Sequence, residues 1–451
     1  MDDLIMDAAR RAVLYAKGLS ERNHYPSHEA IERLEELDQP LPDESTDPFE
    51  VLEILDTLGS PATVTSTSGR YFGFVIGGSL PVTHAANILA TAWDQNAAIF
   101  VSSPIGSVIE EVCRKWLLSL FGLSTESGVG FVSGATMASF SGLASARHAI
   151  LRDTGWDVES QGLFGAPPIT VVVGDDAHAS IFKSLSMLGM GRDRVVRVPA
   201  DDQGRMRIEL FPDISNNTIV CVSAGNVNSG AFDPIEKICA VAKSKGAWVH
   251  VDGAFGLWTA AAPGRAHLVA GIEDADSWSV DAHKWLNVPY DSAMTIVRNS
   301  SDLRASMSMS TSYYIKADER DPWDWVPQIS RRARGVEIWA ALRSLGRKGV
   351  ADLVERSCRH ASRFGEALSA AGYQVLNDVV INQVLVSFGD EDTTNRVIRR
   401  IQEDGTCWCG GAVWKGQAVM RISVSCWATT EEDVERSLNV ILQIAAEERK
   451  T

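Results

Sequence analysis

Ser279-Val280-Asp281-Ala282-His283-Lys284-Trp285-Leu286 decides how this chain is read. An apolar-polar segment leads into it, so Lys284 stands at the exit of a predicted strand, directly behind a histidine. That is a poor place for a solvated charge and a good one for an amine that must form a Schiff base. Thirty-two residues upstream (284 − 252), His250-Val251-Asp252-Gly253-Ala254 ends another apolar run in an acid. Between a buried strand and a Gly-Ala turn, the Asp252 carboxylate is expected to face a cavity rather than solvent.

Around this pair, from about residue 85 to 300, helical and strand patterns alternate. Helical periodicity covers 83–94, 107–121, 136–151, 179–188 and 234–245, and β-rich runs cover 169–173, 194–198, 218–222, 247–251, 277–280 and 294–297. Such alternation predicts an α/β fold, a mainly parallel sheet with helices on both faces. His178, Asn226, Asp252 and Lys284 each follow a strand. Ligands of open α/β sheets bind at the carboxyl ends of the strands, so these groups are expected to meet in one crevice. From about 335 the pattern changes to helices over 336–345 and 350–371, strands over 384–388 and 419–424, and a closing helix from 431, a smaller α+β unit. Before residue 70, helical stretches over 4–19, 28–37 and 48–58 are joined by proline-bearing links, which suggests an arm that packs on something else.

A lysine that makes an imine and an acid that holds a ring nitrogen protonated are the two groups that pyridoxal phosphate chemistry needs most. Lys284 and Asp252 supply them. The cofactor's phosphate needs N–H donors at a helix start, and Phe131-Val132-Ser133-Gly134-Ala135-Thr136 offers a β-like run, a glycine and a hydroxyl before a helix. A plain strand-to-helix turn reads the same way. The preceding Gly128-Val129-Gly130 resembles the opening of a dinucleotide fingerprint, but Ser133 takes its third glycine position. His178 could stack on a flat ring or cap the next helix. Asn226 could bond the cofactor's phenolic oxygen or serve a turn. Arg421, inside the β-rich Met420-Arg421-Ile422-Ser423-Val424, could bind a substrate carboxylate in bidentate fashion or snorkel.

The composition sets outer limits. Of 451 residues, 42 are Lys or Arg and 58 Asp or Glu, a formal charge of −16 that argues against a nucleic-acid partner. No apolar stretch reaches the length of a membrane span, and the acidic Met1-Asp2-Asp3 start does not read as a secretory signal, so a cytoplasmic location is expected. The seven cysteines are expected to be reduced and mostly buried; Cys407-Trp408-Cys409 is the only close pair, too tight for the usual zinc spacing, and no metal is expected.

With those residues assembled, the chain resembles the group II pyridoxal-phosphate-dependent decarboxylases of the aspartate-aminotransferase fold (fold type I), relatives of the aromatic-amino-acid, glutamate and cysteine-sulfinate decarboxylases. The resemblance runs from Arg70-Tyr71-Phe72-Gly73-Phe74 through Trp93-Asp94-Gln95-Asn96, Asp176-Ala177-His178, His250-Val251-Asp252-Gly253-Ala254 and Asp281-Ala282-His283-Lys284-Trp285-Leu286 to Arg331-Arg332-Ala333-Arg334. It implies an amino-acid decarboxylase, with Lys284 as the Schiff-base lysine, Asp252 as the pyridinium partner and His178 as the stacking base. It also implies phosphate contacts from Ala135, Thr136 and His283. Gly134, Asn226, Ala254 and Asp281 are further expected at the cofactor, and Arg421 and Trp323 at the substrate. Three parts are expected: a helical arm over 1–70, a large cofactor-binding domain over 71–325 and a small domain over 326–451. An obligate homodimer with a shared site is implied as well. In many relatives an asparagine precedes the lysine by three residues, where this chain has Asp281. The relatives also carry a tyrosine on a loop just before the paired arginines, whereas Arg320-Asp321-Pro322-Trp323-Asp324-Trp325 has none; Tyr313 and Tyr314 lie upstream. That departure leaves open decarboxylation coupled to oxidative deamination, giving an aldehyde, or another carbon–carbon cleavage.

Overall fold

The computed structural model describes residues 2–309 and 318–449. Its centre is a seven-stranded sheet of β1 (Gly128–Val132), β2 (Thr170–Gly174), β3 (Val196–Val198), β4 (Thr218–Ser223), β5 (Trp248–Asp252), β6 (Ser277–Asp281) and β7 (Ala293–Val297), in the order β1-β7-β6-β5-β4-β2-β3. The neighbours from β3 to β6 pair in parallel, and β7 is antiparallel to both β1 and β6. Runs such as Thr-Val-Val-Val in β2 and Ile-Val-Cys-Val in β4 are apolar on both faces because helices cover both faces. Helix Ala135–Asp153 lies across β6 and β7, while helices Pro104–Phe121 and Gly335–Ala370 pack together. Trp258, Trp278 and Trp285, each 1% exposed, fill the core, so part of the tryptophan content is structural.

A second sheet, β8 (Gln374–Val375), β9 (Gln383–Ser387), β10 (Gly410–Trp414) and β11 (Gln417–Ser423), is antiparallel throughout, in the order β10-β11-β9-β8. Sequence patterning located β9 and β11 but not the short β8, nor β10, whose exposed edge and two glycines carry little apolar signal. The two helices expected over 336–345 and 350–371 are present, separated by a kink at Gly346, whose φ of +60° and ψ of 179° only glycine adopts without strain. The arm is a set of helices, and helix Asp2–Gly18 buries none of its own residues within the chain: Ile5, Met6, Val13 and Leu14 are all exposed. Among the described residues no helix is long and apolar enough to cross a membrane.

The segment expected to open the large domain begins on the small sheet. Phe72 N–H donates to Trp408 O at 2.8 Å, and Ser423 N–H donates to Phe72 O at 3.0 Å. A few residues on, the chain passes over the backbone of Lys284. A Cβ on Gly77 would lie 1.8 Å from Lys284 O, so only glycine permits that approach.

Candidate active site

A cavity of about 220 Å³ opens at the carboxyl ends of the strands. Its wall is assembled from strand exits: Gly134, Ala135 and Thr136 after β1, His178 after β2, Gly225 after β4, Asp252 and Ala254 at the end of β5, and Asp281, His283 and Lys284 at the end of β6. All the predicted cofactor residues except Asn226 thus meet in one place, with Lys284, the acid and the histidine on the lining.

Asp252 is 8% exposed. Its Oδ1 accepts from Ala254 N–H at 3.2 Å and from Ser279 Oγ at 3.4 Å, contacts that fix the carboxylate at the end of its strand. Behind it on β5, His250 is fully buried; burial pushes its pKa down to about 4, with the Asp252 charge opposing, so the imidazole is neutral near pH 7. Both readings of His178 hold together. Its Nδ1 accepts from Ser180 N–H at 3.2 Å, capping helix Ala179–Met187, while the residue also lines the cavity.

The first-turn N–H groups of a helix have no partner within it. At helix Ala135–Asp153, Ala135 N–H donates to Asp281 Oδ1 at 2.7 Å. Asp281 Oδ2 lies 2.9 Å from Lys284 Nζ. Thus the acid that stood out in the sequence does not face an anion unaided: it meets a helix start on one side and an ammonium on the other. His283 stacks on Tyr290 with ring centroids 4.2 Å apart and accepts from Ser292 N–H at 3.3 Å; burial lowers its pKa, with Asp281 opposing.

Three predicted residues differ from the rest. Asn226 is not on the cavity lining; its Oδ1 accepts from Asn228 N–H at 2.8 Å and Ser229 N–H at 3.2 Å, the turn role, and its Nδ2 donates to Asp176 O at 3.5 Å. Trp323 is also absent from the lining. It sits in the 3₁₀ turn Pro322–Trp325, its N–H donating to Ala98 O at 2.9 Å, because Asp321 and its neighbours dock onto 97–100. Arg421 reaches the rim rather than the wall: Nη1 donates to Val227 O at 3.2 Å and Nη2 to Phe74 O at 3.4 Å, and Val227 lines the cavity. No carboxylate among the described residues forms an ion pair with it, and burial lowers its pKa. Tyr313 and Tyr314 lie outside the described residues.

The basic run before the long helix is structural. Arg331, fully buried, pairs with the equally buried Glu110 at 2.6 Å, and Arg334 pairs with Asp291 at 3.2 Å. Gly128 and Gly130 belong to β1, where a Cβ on Gly130 would lie 2.1 Å from Trp325 O; the glycines admit the 322–326 segment. All seven cysteines are unpaired and buried, and no metal-holding cluster occurs among the described residues. Sequence reasoning missed Phe255, whose ring lies 5.9 Å from Lys284 Nζ, and Asp176, which lines the cavity and meets Lys415 of the small domain at 2.6 Å. An aromatic directly after His-Val-Asp-Gly-Ala was a signal for the first. Nothing in the sequence joins residues 176 and 415.

A helix start, a carboxylate, an imidazole and a lysine amine on one cavity lining form the donor set that suits pyridoxal phosphate, and the fold is that of fold type I enzymes. The comparisons agree. Residues 32–389 match the pyridoxal-dependent decarboxylase conserved domain. An aromatic-L-amino-acid decarboxylase of Bacillus atrophaeus is 24% identical over 94% of this chain and 92% of its own length. A phenylacetaldehyde synthase of a Rosa hybrid cultivar is 25% identical over 83% of this chain and 80% of its own. Among solved structures, Oryza sativa TDC with PLP and tryptamine superposes with a TM-score of 0.90 at 21% identity, covering 99% of this chain and 97% of that one. Mouse CSAD in apo form gives 0.90 at 21%, with 98% of both chains covered. The chain belongs to the pyridoxal-dependent decarboxylase family. It is accordingly a pyridoxal-phosphate-dependent amino-acid decarboxylase, a carbon–carbon lyase.

Proposed function

We propose that the protein decarboxylates an L-amino acid with an aromatic or apolar side chain, using the residues of this cavity. The observation that carries the assignment of roles is the placement of Lys284 and Asp252 on the walls of one cavity beside a helix start. When bound, pyridoxal phosphate supplies an aldehyde that takes an amine and a ring that accepts the electron pair left as CO₂ departs. Lys284 Nζ would be the amine that holds the cofactor. Asp252 would hold a proton at its ring nitrogen, His178 would pack against the ring, and Gly134, Ala135, Thr136 and His283 would hold the phosphate. Arg421 orients the substrate carboxylate, for which its guanidinium has no competing carboxylate among the described residues.

Charge and aromatic content support the side-chain preference. Among the described residues, Lys284 is the only lysine or arginine lining the cavity; Lys415 is tied to Asp176, and Arg421 at the rim is assigned to the substrate's own α-carboxylate. An acidic side chain would therefore have none of these three as its counter-ion. Beyond Arg421, Trp408 stacks on Tyr71 at 5.0 Å and on Phe74 at 5.6 Å, and Phe74 is 59% exposed, an aromatic surface next to the rim. Measuring CO₂ release from a panel of L-amino acids tests this: aromatic and large apolar substrates are expected to turn over, and preference for aspartate, glutamate or cysteine sulfinate would contradict it.

The tyrosine-free 320–325 stretch favours a second reading, decarboxylation coupled to oxidative deamination. Oxygen uptake and ammonia release stoichiometric with turnover would establish it, and amine formation without oxygen uptake would exclude it. The protein is further proposed to be a homodimer: the apolar residues that helix Asp2–Gly18 leaves uncovered are suited to a second copy. Trp323 would then serve the neighbouring site. Seven buried, unpaired cysteines support a reducing compartment, the cytoplasm.

A further inference from the structure

Asp281 is the charged group of the cavity to which the roles above give no task. Its position is fixed on every side. It ends β6 opposite Ala293 of β7, its N–H donates to Ala254 O at 2.8 Å, and its carbonyl accepts from Trp258 Nε1 at 2.9 Å. Its side chain is 2% exposed, against 21% for that of Lys284, so the carboxylate is the rigid partner and the lysine the movable one. One oxygen takes the Ala135 N–H at 2.7 Å and the other the Lys284 ammonium at 2.9 Å.

We propose that Asp281 is the counter-ion of Lys284, holding the lysine nitrogen in its cationic form and aiming it into the cavity, both before the cofactor is captured and while it is held. The proposal rests on Lys284 being the cofactor-holding residue. A carboxylate 2.9 Å from the nitrogen is a partner for its charged form that a neutral amide cannot replace. His283, 3.6 Å from the same carboxylate, is a weaker competitor for it, since burial disfavours its cationic form. The other titratable groups facing the pair are Asp252 at the end of β5, Asp176 and His178 after β2, and Tyr290 and Asp291 in the loop after Lys284. Of these groups, His283 and Tyr290 feel the Asp281 charge themselves, so the comparison is repeated in proteins that also carry His283→Gln or Tyr290→Phe, and a difference that persists there belongs to the Asp281–Lys284 pair.

Asp281→Asn is the informative change, because an amide oxygen still accepts the Ala135 N–H while the charge is gone. The measurement is a pH titration of the visible absorbance of the cofactor-loaded protein, without substrate. The transition that reports loss of the proton from the lysine nitrogen is expected to move to lower pH by about one to three units in Asp281→Asn, and the rate of cofactor capture at neutral pH is expected to rise. Asp281→Glu is expected to restore much of the shift. An unmoved transition in Asp281→Asn would overturn the proposal and leave Asp281 as a helix cap. Should the unmodified protein form no borohydride-reducible band, the assignment of Lys284 itself fails, and this inference with it.

Discussion

The two walls of the cavity obey different rules of construction. On the side of the seven-stranded sheet, every functional group follows its own strand by a few residues: His178 after β2, Asp252 at the end of β5, Lys284 three residues beyond β6. On the side of the four-stranded sheet the groups meet from far apart in the chain: Arg421 donates to Phe74 and Val227, and Lys415 holds Asp176. In the proposed assignment the first wall, built at strand ends, holds the cofactor, and the second, whose geometry depends on how two sheets dock, holds the substrate. On that assignment reaction type is encoded locally and substrate choice at long range.

If this division is right, damage to the first wall should lower kcat and damage to the second should raise KM. The largest effect is expected at Asp252. Asp252→Ala removes the charge that keeps the ring nitrogen protonated and should lower kcat by roughly 10²- to 10³-fold, the scale of losing one preorganised electrostatic group, with the cofactor still covalently bound. Steady-state kinetics beside a spectrum of the loaded protein would show both.

His250, buried behind Asp252, gives the first wall a pH signature. Its pKa is pushed down to about 4 in the folded chain against about 6.5 unfolded. Between these values the unfolded state binds more protons, so the neutral imidazole makes the fold progressively less stable as pH falls from about 6.5 to 4, by roughly 3 kcal/mol in all. Burial raises Asp233 and Asp276 to about 6, which tilts stability the opposite way in the same window. The difference between wild type and His250→Gln therefore isolates the histidine. Chemical denaturation across this range should show wild type losing more stability on acidification than the variant.

Arg421→Ala tests the second wall. Losing charge-assisted bonds to a carboxylate costs about 1.5–3 kcal/mol, so kcat/KM should fall roughly 10- to 100-fold, mostly through KM. A fall in kcat alone would assign Arg421 to the first wall. The smallest effect belongs to the tie between the walls. Lys415 is 40% exposed, so breaking its pair with Asp176 should cost under about 1 kcal/mol of stability. A double-mutant cycle of Lys415→Ala and Asp176→Asn would measure it.

The same division governs what could be read in advance. The cofactor wall was legible because β-rich runs announce buried strands, and a charge just past such a run is seldom a solvated one; Asp252 and Lys284 needed nothing more. Gly134, Ala135 and Thr136 were legible as a strand-to-helix turn. Asn226 stayed open between two roles because a turn asparagine and a ligand asparagine look alike until the partners of Oδ1 are known. That Trp323 lies off this chain's own cavity was not legible, because its docking on Ala98 is a contact over more than two hundred residues of chain. Strand β10 escaped because its exposed positions break the apolar alternation. The ion pair of Asp281 with Lys284 lay within three residues, yet only the backbone geometry at the end of β6 shows that the two side chains meet.

The most direct test of the cofactor wall is the absorbance spectrum of the purified protein from 300 to 500 nm, before and after borohydride, for wild type and Lys284→Ala. A band that borohydride abolishes in wild type, and that Lys284→Ala never forms while keeping its fold, is the predicted result. A reducible band that persists in Lys284→Ala would place the cofactor on another lysine and contradict the assignment of this cavity.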